Sequence, residues 1–166
     1  MRRFLQVLCR IEAFIASLAY VIVAGLLFGD VISRELLGQG FSGTPQFATL
    51  LTVVAGFMGF ALVSHDGTHL RIEAVDHLLP AWTANAHERL GDAVSAAICL
   101  FFAVVAARFV LGTWQADEVV AVLYIPLWPW QAVLAYGFGS SALRHLVFAW
   151  RPDLKPVREN RVAANA

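Results

Sequence analysis

The sequence predicts an all-α, polytopic membrane protein with four transmembrane helices, and three observations support this fold class. Apolar residues make up 59% of the 166 residues and charged residues only 14%, whereas soluble chains carry roughly 25% charged residues. The apolar residues form four long blocks, each near the ~20 residues that a helix needs to cross a bilayer. The polar residues collect between these blocks and at the two ends of the chain.

The spans follow from apolar runs that are bounded by polar or charged residues. The first run follows Arg2 and Arg3, as in a signal peptide or a twin-arginine signal. It is longer than a signal core and lacks a small-x-small cleavage site, so we interpret it as a retained helix. The sequence predicts a transmembrane domain at 1–150 and a basic cytoplasmic tail at 151–166, with spans at about 11–29, 47–64, 93–112 and 126–150.

The basic residues predict the orientation, because lysine and arginine accumulate in cytoplasmic segments. The N-terminal segment, the loop after the second span and the C-terminal tail together hold nine of the twelve Lys and Arg residues. The loop after the first span holds only Arg34, and the loop after the third span holds none. The sequence therefore places both termini in the cytoplasm.

A few charged residues lie in or beside the spans, and they allow more than one interpretation. On this topology Glu12 and Arg144 share the cytoplasmic level, while Asp30 and Arg108 share the outer level. Interhelical ion pairs are one interpretation. Contact with lipid headgroups is the alternative, since long side chains near a span end extend to the interface. Asp30 and Arg34 are four residues apart, a spacing that also allows pairing on one helix face.

The spans lack the side chains that transport or redox chemistry usually requires. No predicted span has a carboxylate at mid-depth, as a proton or sodium pathway would usually need. Only one histidine, His145, lies in a span, so the histidine pair of a membrane cytochrome is missing. Cys9 and Cys99 have no disulfide or zinc spacing, and the zero net charge gives no reason to expect nucleic-acid binding. The sequence predicts no enzyme and no cofactor.

Small residues cluster in two spans, where they let another helix approach closely. The second span has Gly56 and Gly59, and the fourth has Gly137 and Gly139 followed by two serines. Packing among the four spans explains these residues, and so does packing against a partner membrane protein.

The longest polar stretch joins the second and third spans. Its residues His65 and His69 have the spacing of a helical metal pair. Gly67 lies between them and weakens a helix, so we expect no metal site there. From Leu70 to Pro80 the apolar residues fall mainly on one helical face, which predicts a short amphipathic helix at the cytoplasmic interface.

A pattern spread over the first two spans and the following loop carries a family resemblance. It consists of Arg34, Gly59 and the stretch "GTHLRIE" from Gly67 to Glu73. The pattern resembles the DctQ-like family, the small integral-membrane subunit of TRAP (tripartite ATP-independent periplasmic) transporters. That family has an arginine after the first span, a glycine in the second, and a Gly-x-His-hydrophobic-x-hydrophobic-Asp element opening the loop. Glu73 replaces the usual aspartate.

The resemblance implies a role in the bacterial inner membrane. The small four-helix subunit of such systems braces a large membrane subunit that carries solute and sodium, and it helps to dock a periplasmic solute-binding protein. Solutes of the family are mostly organic acids, including dicarboxylates and sialic acids. Membrane lipid is a further expected partner. The residues that we assign to partner packing or to structure are Asp30, Arg34, Gly56, Gly59, Gly67, His69, Glu73, Arg108, Gly137 and Arg144.

This sequence departs from the family pattern at positions that leave the solute undetermined. Pro45-Gln46 and Val54 stand where the family often has an acidic pair and a tryptophan, and the fourth span reads "AYGFG" near the usual Pro-small-Gly. Two other classes stay open. In-span histidines would favour a membrane anchor of a respiratory complex, and mid-span charges would favour a small stand-alone transporter.

Overall fold

Four helices make up the computed structural model, which describes residues 2–65 and 84–151. The described residues contain no strand, only an isolated bridge between Val119 and Pro126. The all-α prediction is confirmed. The predicted amphipathic helix and nearly all of the predicted tail lie outside the described residues. In chain order the helices are α1 (Arg2–Leu37), α2 (Thr44–His65), α3 (Ala84–Gln115) and α4 (Trp128–Trp150).

Successive helices run in opposite directions, which gives the bundle two different ends. We call the end that holds residues 2, 65, 84 and 150 the tail end, and the end that holds the two short connections the hairpin end. α4 packs along both α2 and α3, and α1 packs along α2. α2 and α4 run in the same direction, because Ala61 contacts Arg144 near the tail end and Phe47 contacts Trp130 near the hairpin end.

Three of the described helices are long and apolar enough to cross a membrane, namely α1, α2 and α3. At 1.5 Å per residue α1 is about 54 Å long, which exceeds a hydrocarbon core of about 30 Å. The 23 residues of α4 reach about 34 Å, yet Arg144, His145 and other polar residues lower its mean hydropathy. A fourth crossing therefore stays a prediction.

Side-chain burial in this bundle is inverted relative to that of a soluble protein. On α1 the small residues Ala16 and Ala19 face the bundle, while Phe14, Val21 and Phe28 are 68%, 69% and 68% exposed. α3 shows the same inversion, with Phe101 and other large apolar side chains exposed. Water would disfavour so much contiguous apolar surface, whereas lipid tails solvate it. The surface of the bundle thus fits a bilayer.

Two tight turns shape the hairpin end. Gly38 (φ +70°) follows α1 and Gly43 (φ +87°) precedes α2, and glycine takes up such left-handed backbone without strain. A Cβ at Gly43 would lie 2.7 Å from Cδ2 of Leu123. The connection 116–127, which we call the outer hairpin, therefore packs directly on the turn before α2.

Candidate functional site

A fully buried ion pair joins α1 to α4 near the tail end. Glu12 and Arg144 are each 0% exposed, and Nη2 of Arg144 donates a hydrogen bond to Oε2 of Glu12. The other carboxylate oxygen, Oε1, accepts hydrogen bonds from the hydroxyls of Tyr136 at 2.8 Å and Ser140 at 2.9 Å. Such additional bonds are needed because the desolvation of two charges otherwise outweighs their attraction. Both oxygens of the buried carboxylate are thereby satisfied.

Arg144 also holds α2. Its Nη1 donates to the backbone carbonyl of Ala61, which lies four residues before α2 ends at His65. The helix dipole makes carbonyls near a C-terminus attractive to a cation. A single guanidinium therefore contacts α1 and α2 while it belongs to α4. The structure brings Glu12 and Arg144 together, as their shared level on the predicted topology allowed.

Two further buried contacts fix α4 against its neighbours. The Ser64 hydroxyl of α2 lies 2.8 Å from the Ser141 hydroxyl. Nδ1 of His145 lies 3.3 Å from Oδ1 of Asp92 in α3, and these two residues are 3% and 7% exposed. α4 thus makes polar contacts with each of the other three helices.

Sequence reasoning did not single out most of these partners, although α4 carried a signal. Tyr136, Ser140 and Arg144 are spaced four residues apart, and so are Ser141 and His145. Residues at this spacing lie on one face of a helix. Two polar faces in a span of otherwise apolar residues indicate two helix contacts, but not which helices are met.

At the hairpin end Asp30 organises the turn between α1 and α2. Its Oδ2 lies 2.6 Å from Nη2 of Arg34, and its Oδ1 accepts the backbone N–H of Phe41 at 2.8 Å. A Cβ at Gly40 would lie 2.7 Å from that same Oδ1, so any larger residue there would have to displace the Asp30 carboxylate. Ion pairs between described residues do not include Arg108, whose side chain is exposed. Asp30 pairs with Arg34 of its own helix instead.

The glycines that sequence analysis grouped together have different surroundings. A Cβ at Gly137 would lie 3.1 Å from the backbone oxygen and 3.3 Å from the Cβ of Phe57. Gly137 therefore permits the close packing of α4 on α2. A Cβ at Gly56 or at Gly59 would meet nothing within 4 Å. These two glycines are not explained by packing within the described bundle.

Gly56 and Gly59 belong to a continuous face of α2 that no described helix covers. We call it the open face of α2, and it comprises Pro45, Thr49, Thr52, Gly56, Gly59 and Val63. The Thr49 and Thr52 hydroxyls donate to the backbone carbonyls of Pro45 and Ala48, each at 2.8 Å. Their polar hydrogens are thus satisfied within the helix. The side chains of the open face are mostly small, and its hydroxyls need no hydrogen-bond acceptor from a protein that covers it.

Three of the residues assigned from the sequence lie outside the described residues, namely Gly67, His69 and Glu73. Within residues 2–65 and 84–151 no group of three or more His, Cys, Asp or Glu side chains could hold a metal ion.

Comparison with known proteins places this bundle in a family. The model of the DctQ component of tripartite ATP-independent periplasmic transporters matches residues 23–154. The small permease protein TeaB of an ectoine TRAP transporter from Halomonas elongata is 21% identical over 140 residues, which cover 84% of this chain and 72% of that protein. The family match includes α2, α3 and α4 in full. This chain belongs to the DctQ family, the small membrane component of TRAP transporters.

Proposed function

We propose that this chain is the non-catalytic small membrane subunit of a sodium-driven TRAP transporter for organic acids. It braces the large membrane subunit and helps to dock the periplasmic solute-binding protein. It crosses the bacterial inner membrane four times, with both termini in the cytoplasm, as the distribution of basic residues predicts. The tail end is then cytoplasmic and the hairpin end periplasmic.

The buried contacts of α4 support a fourth crossing. A charged side chain is unfavourable in lipid unless it faces the bundle interior and finds a partner. Arg144 and His145 are 0% and 3% exposed and contact Glu12 and Asp92. The residues that lower the hydropathy of α4 are therefore turned away from lipid.

The state of the acidic side chains supports a bracing role. The buried carboxylates of the described residues belong to Glu12, Asp30 and Asp92, and each contacts a basic side chain. A carboxylate that coordinates a transported cation has to be available to it. Those of this bundle are engaged in holding helices and turns.

The open face of α2 is the observation that carries the proposal. Helices associate in lipid largely through van der Waals contact, and small residues allow their backbones to approach closely. A face with Gly56 and Gly59 presents little side chain for lipid to pack on, yet it fits a helix of another protein. We assign this face to the large membrane subunit.

Replacing Gly59 with leucine tests the assignment. A Cβ there would meet nothing within 4 Å among the described residues, so we expect the bundle to fold and insert normally. We expect the large subunit to be lost on co-purification from membranes, and solute uptake to fall with it. Uptake should be measured in cells that contain all three components, with the amount of inserted protein determined in parallel.

Two matched variants make this test specific. Gly25 is exposed on α1 beside large apolar residues and also has open space around it, so Gly25→Leu should leave the complex intact. Gly137→Leu should instead destabilise this chain, because Phe57 occupies the space. A complex that survives Gly59→Leu unchanged would show that the open face is not the interface. Solute accumulation by liposomes holding this chain alone would contradict the bracing role itself.

The outer hairpin is the surface that we assign to the solute-binding protein. Val119, Val122 and Tyr124 are 52%, 50% and 83% exposed there, next to the acidic residues Asp117 and Glu118. Asp117, Val122 and Tyr124 adopt positive φ angles, which is unfavourable for residues other than glycine. Strained backbone of this kind is often found at binding surfaces.

An exposed aromatic residue at each end of the bundle allows a controlled test of docking. We expect Tyr124→Ser to weaken capture of the binding protein by the complex in nanodiscs. Trp150→Ser removes an equally exposed aromatic side chain, at 84%, from the tail end and should have no effect on capture. If both variants capture the binding protein as well as the unaltered chain does, the outer hairpin is not the docking surface.

A further inference from the structure

A cavity of about 180 Å³ lies among α2, α3 and α4 in the half of the bundle nearer the tail end. The rings of Phe60 and Phe102 pack on Phe138, with centroid distances of 5.2 and 5.4 Å. Two of the lining residues, Ile98 and Phe102, are 43% and 45% exposed, so the cavity opens to the outside beside them. The lining is mostly apolar and consists of Phe60, Ser64, Ile98, Cys99, Phe102, Phe138 and His145.

His145 lines this cavity and carries one buried, unpaired polar atom. Its Nδ1 faces the Asp92 carboxyl group at 3.3 Å. An ionised carboxylate only accepts hydrogen bonds, so we assign the proton to Nδ1. In the neutral imidazole Nε2 is then an acceptor. Nε2 is buried and has no hydrogen-bond partner among the described residues.

The other polar groups of the lining do not satisfy this nitrogen. The Ser64 hydroxyl is engaged with the Ser141 hydroxyl and with the backbone oxygen of Phe60. The Cys99 thiol is only a weak donor. A buried acceptor without a donor is unfavourable, so a ligand that supplies an O–H or N–H group would gain a bond that the bundle does not provide.

We propose that this cavity binds a small apolar molecule that carries one hydroxyl or N–H group. Its apolar part lies among the three phenylalanine rings and its donor bonds to Nε2 of His145. The size is sufficient, since an apolar cavity of about 150 Å³ in another protein holds benzene. Ile98 and Phe102 are exposed on the apolar outer surface of the bundle, so such a molecule enters from the bilayer. The inference does not depend on the transport role, because it uses only residues inside the bundle.

A pair of probes of similar shape tests the donor requirement. The probes are 4-fluorophenol, which has an O–H donor, and 4-fluoroanisole, which has none. Their binding to the full chain in nanodiscs is followed by fluorine NMR, with protein-free nanodiscs correcting for partition into lipid. We expect saturable binding of the phenol that is at least about fivefold tighter than that of the anisole, as the pairing of a buried acceptor implies.

Two variants separate the cavity from the hydrogen bond. Ile98→Trp narrows the opening and should abolish saturable binding of both probes. The combined variant Asp92→Asn and His145→Leu removes the acceptor without leaving a buried carboxylate, and it should make the two probes bind equally. Equal binding to the unaltered chain would overturn the proposed donor requirement. An absence of saturable binding would overturn the site and leave bound water as its occupant. Comparing the binding of the two probes to the unaltered chain tests the proposal even if a variant does not fold.

Discussion

The two ends of the bundle each hold an Asp or Glu paired with an arginine, but the two pairs are built differently. Glu12 and Arg144 come from different helices and are both fully buried, and Arg144 also contacts α2. Asp30 and Arg34 come from the same helix, four residues apart, and the Arg34 side chain is 58% exposed. The tail-end pair holds three helices together, whereas the hairpin-end pair shapes one turn.

The two pairs are therefore expected to contribute differently to the stability of the fold. A buried pair is strongly unfavourable once one partner is removed, because the other charge stays buried and uncompensated. An exposed pair contributes little, since solvent already screens it. Asp30 is intermediate, because it is buried itself and also bonds the N–H of Phe41. Substitutions in and beside the two pairs test this comparison.

Glu12→Leu should be the most destabilising of these changes. It leaves the Arg144 guanidinium buried without its carboxylate, which lowers the free energy of unfolding by about 3–5 kcal/mol. Unfolding by SDS titration in mixed micelles measures this. The double variant Glu12→Leu and Arg144→Met should recover much of the loss, because no unpaired charge remains. A loss below about 1 kcal/mol for Glu12→Leu alone would mean that Arg144 reaches the interface and that its burial contributes little.

The contrast between the two pairs also shows which structural features could be predicted from the sequence. The all-α class followed from the apolar blocks, and the pairing of Asp30 with Arg34 from their spacing. That Glu12 and Arg144 lie at the same end of the bundle followed from the distribution of basic residues along the chain. These features depend on position along the membrane normal or along one helix, which composition records directly.

The rotation of each helix about its axis was much harder to predict. In a soluble helix an apolar stripe marks the buried face, but a helix in lipid is apolar on all sides. The sequence therefore did not separate Gly137, which packs on Phe57, from Gly59, which faces open space. It also did not indicate that Asp92 meets His145, since lateral neighbours depend on the order in which helices pack.

Asp30→Ala should have the second largest effect. It removes the partner of Arg34 and the acceptor of the Phe41 N–H. Leaving a partly buried donor unsatisfied lowers the free energy of unfolding by about 1–3 kcal/mol. Hydrogen exchange of the Phe41 amide should accelerate as well, while amides near Glu12 should be unchanged. Unchanged exchange at Phe41 would show that Asp30 does not hold this turn.

Tyr136→Phe should have a smaller effect than either carboxylate change. The variant loses one hydrogen bond to Glu12, but Ser140 and Arg144 still contact that carboxylate. We expect a loss of about 1 kcal/mol in SDS titration. In the Glu12→Leu background the same change should have almost no effect, because its acceptor is already gone. Additive losses in the double variant would indicate that Tyr136 stabilises the bundle by another contact.

Arg34→Ala should have the smallest effect on stability, and it is the change that best separates stability from assembly. The Arg34 side chain is 58% exposed, and Asp30 keeps its hydrogen bond from the Phe41 N–H, so loss of the guanidinium should change the free energy of unfolding by no more than about 0.5 kcal/mol. Arg34 nevertheless occupies the arginine position of the family pattern, after the first predicted span. We therefore expect Arg34→Ala to reduce recovery of the large subunit from membranes while the isolated bundle unfolds as before. Arg108→Ala is the matched control, since this exposed arginine of α3 lies outside the pattern and should leave recovery unchanged. If both variants assemble normally, the guanidinium of Arg34 contacts only the membrane interface, and the hairpin-end pair does not bind the large subunit.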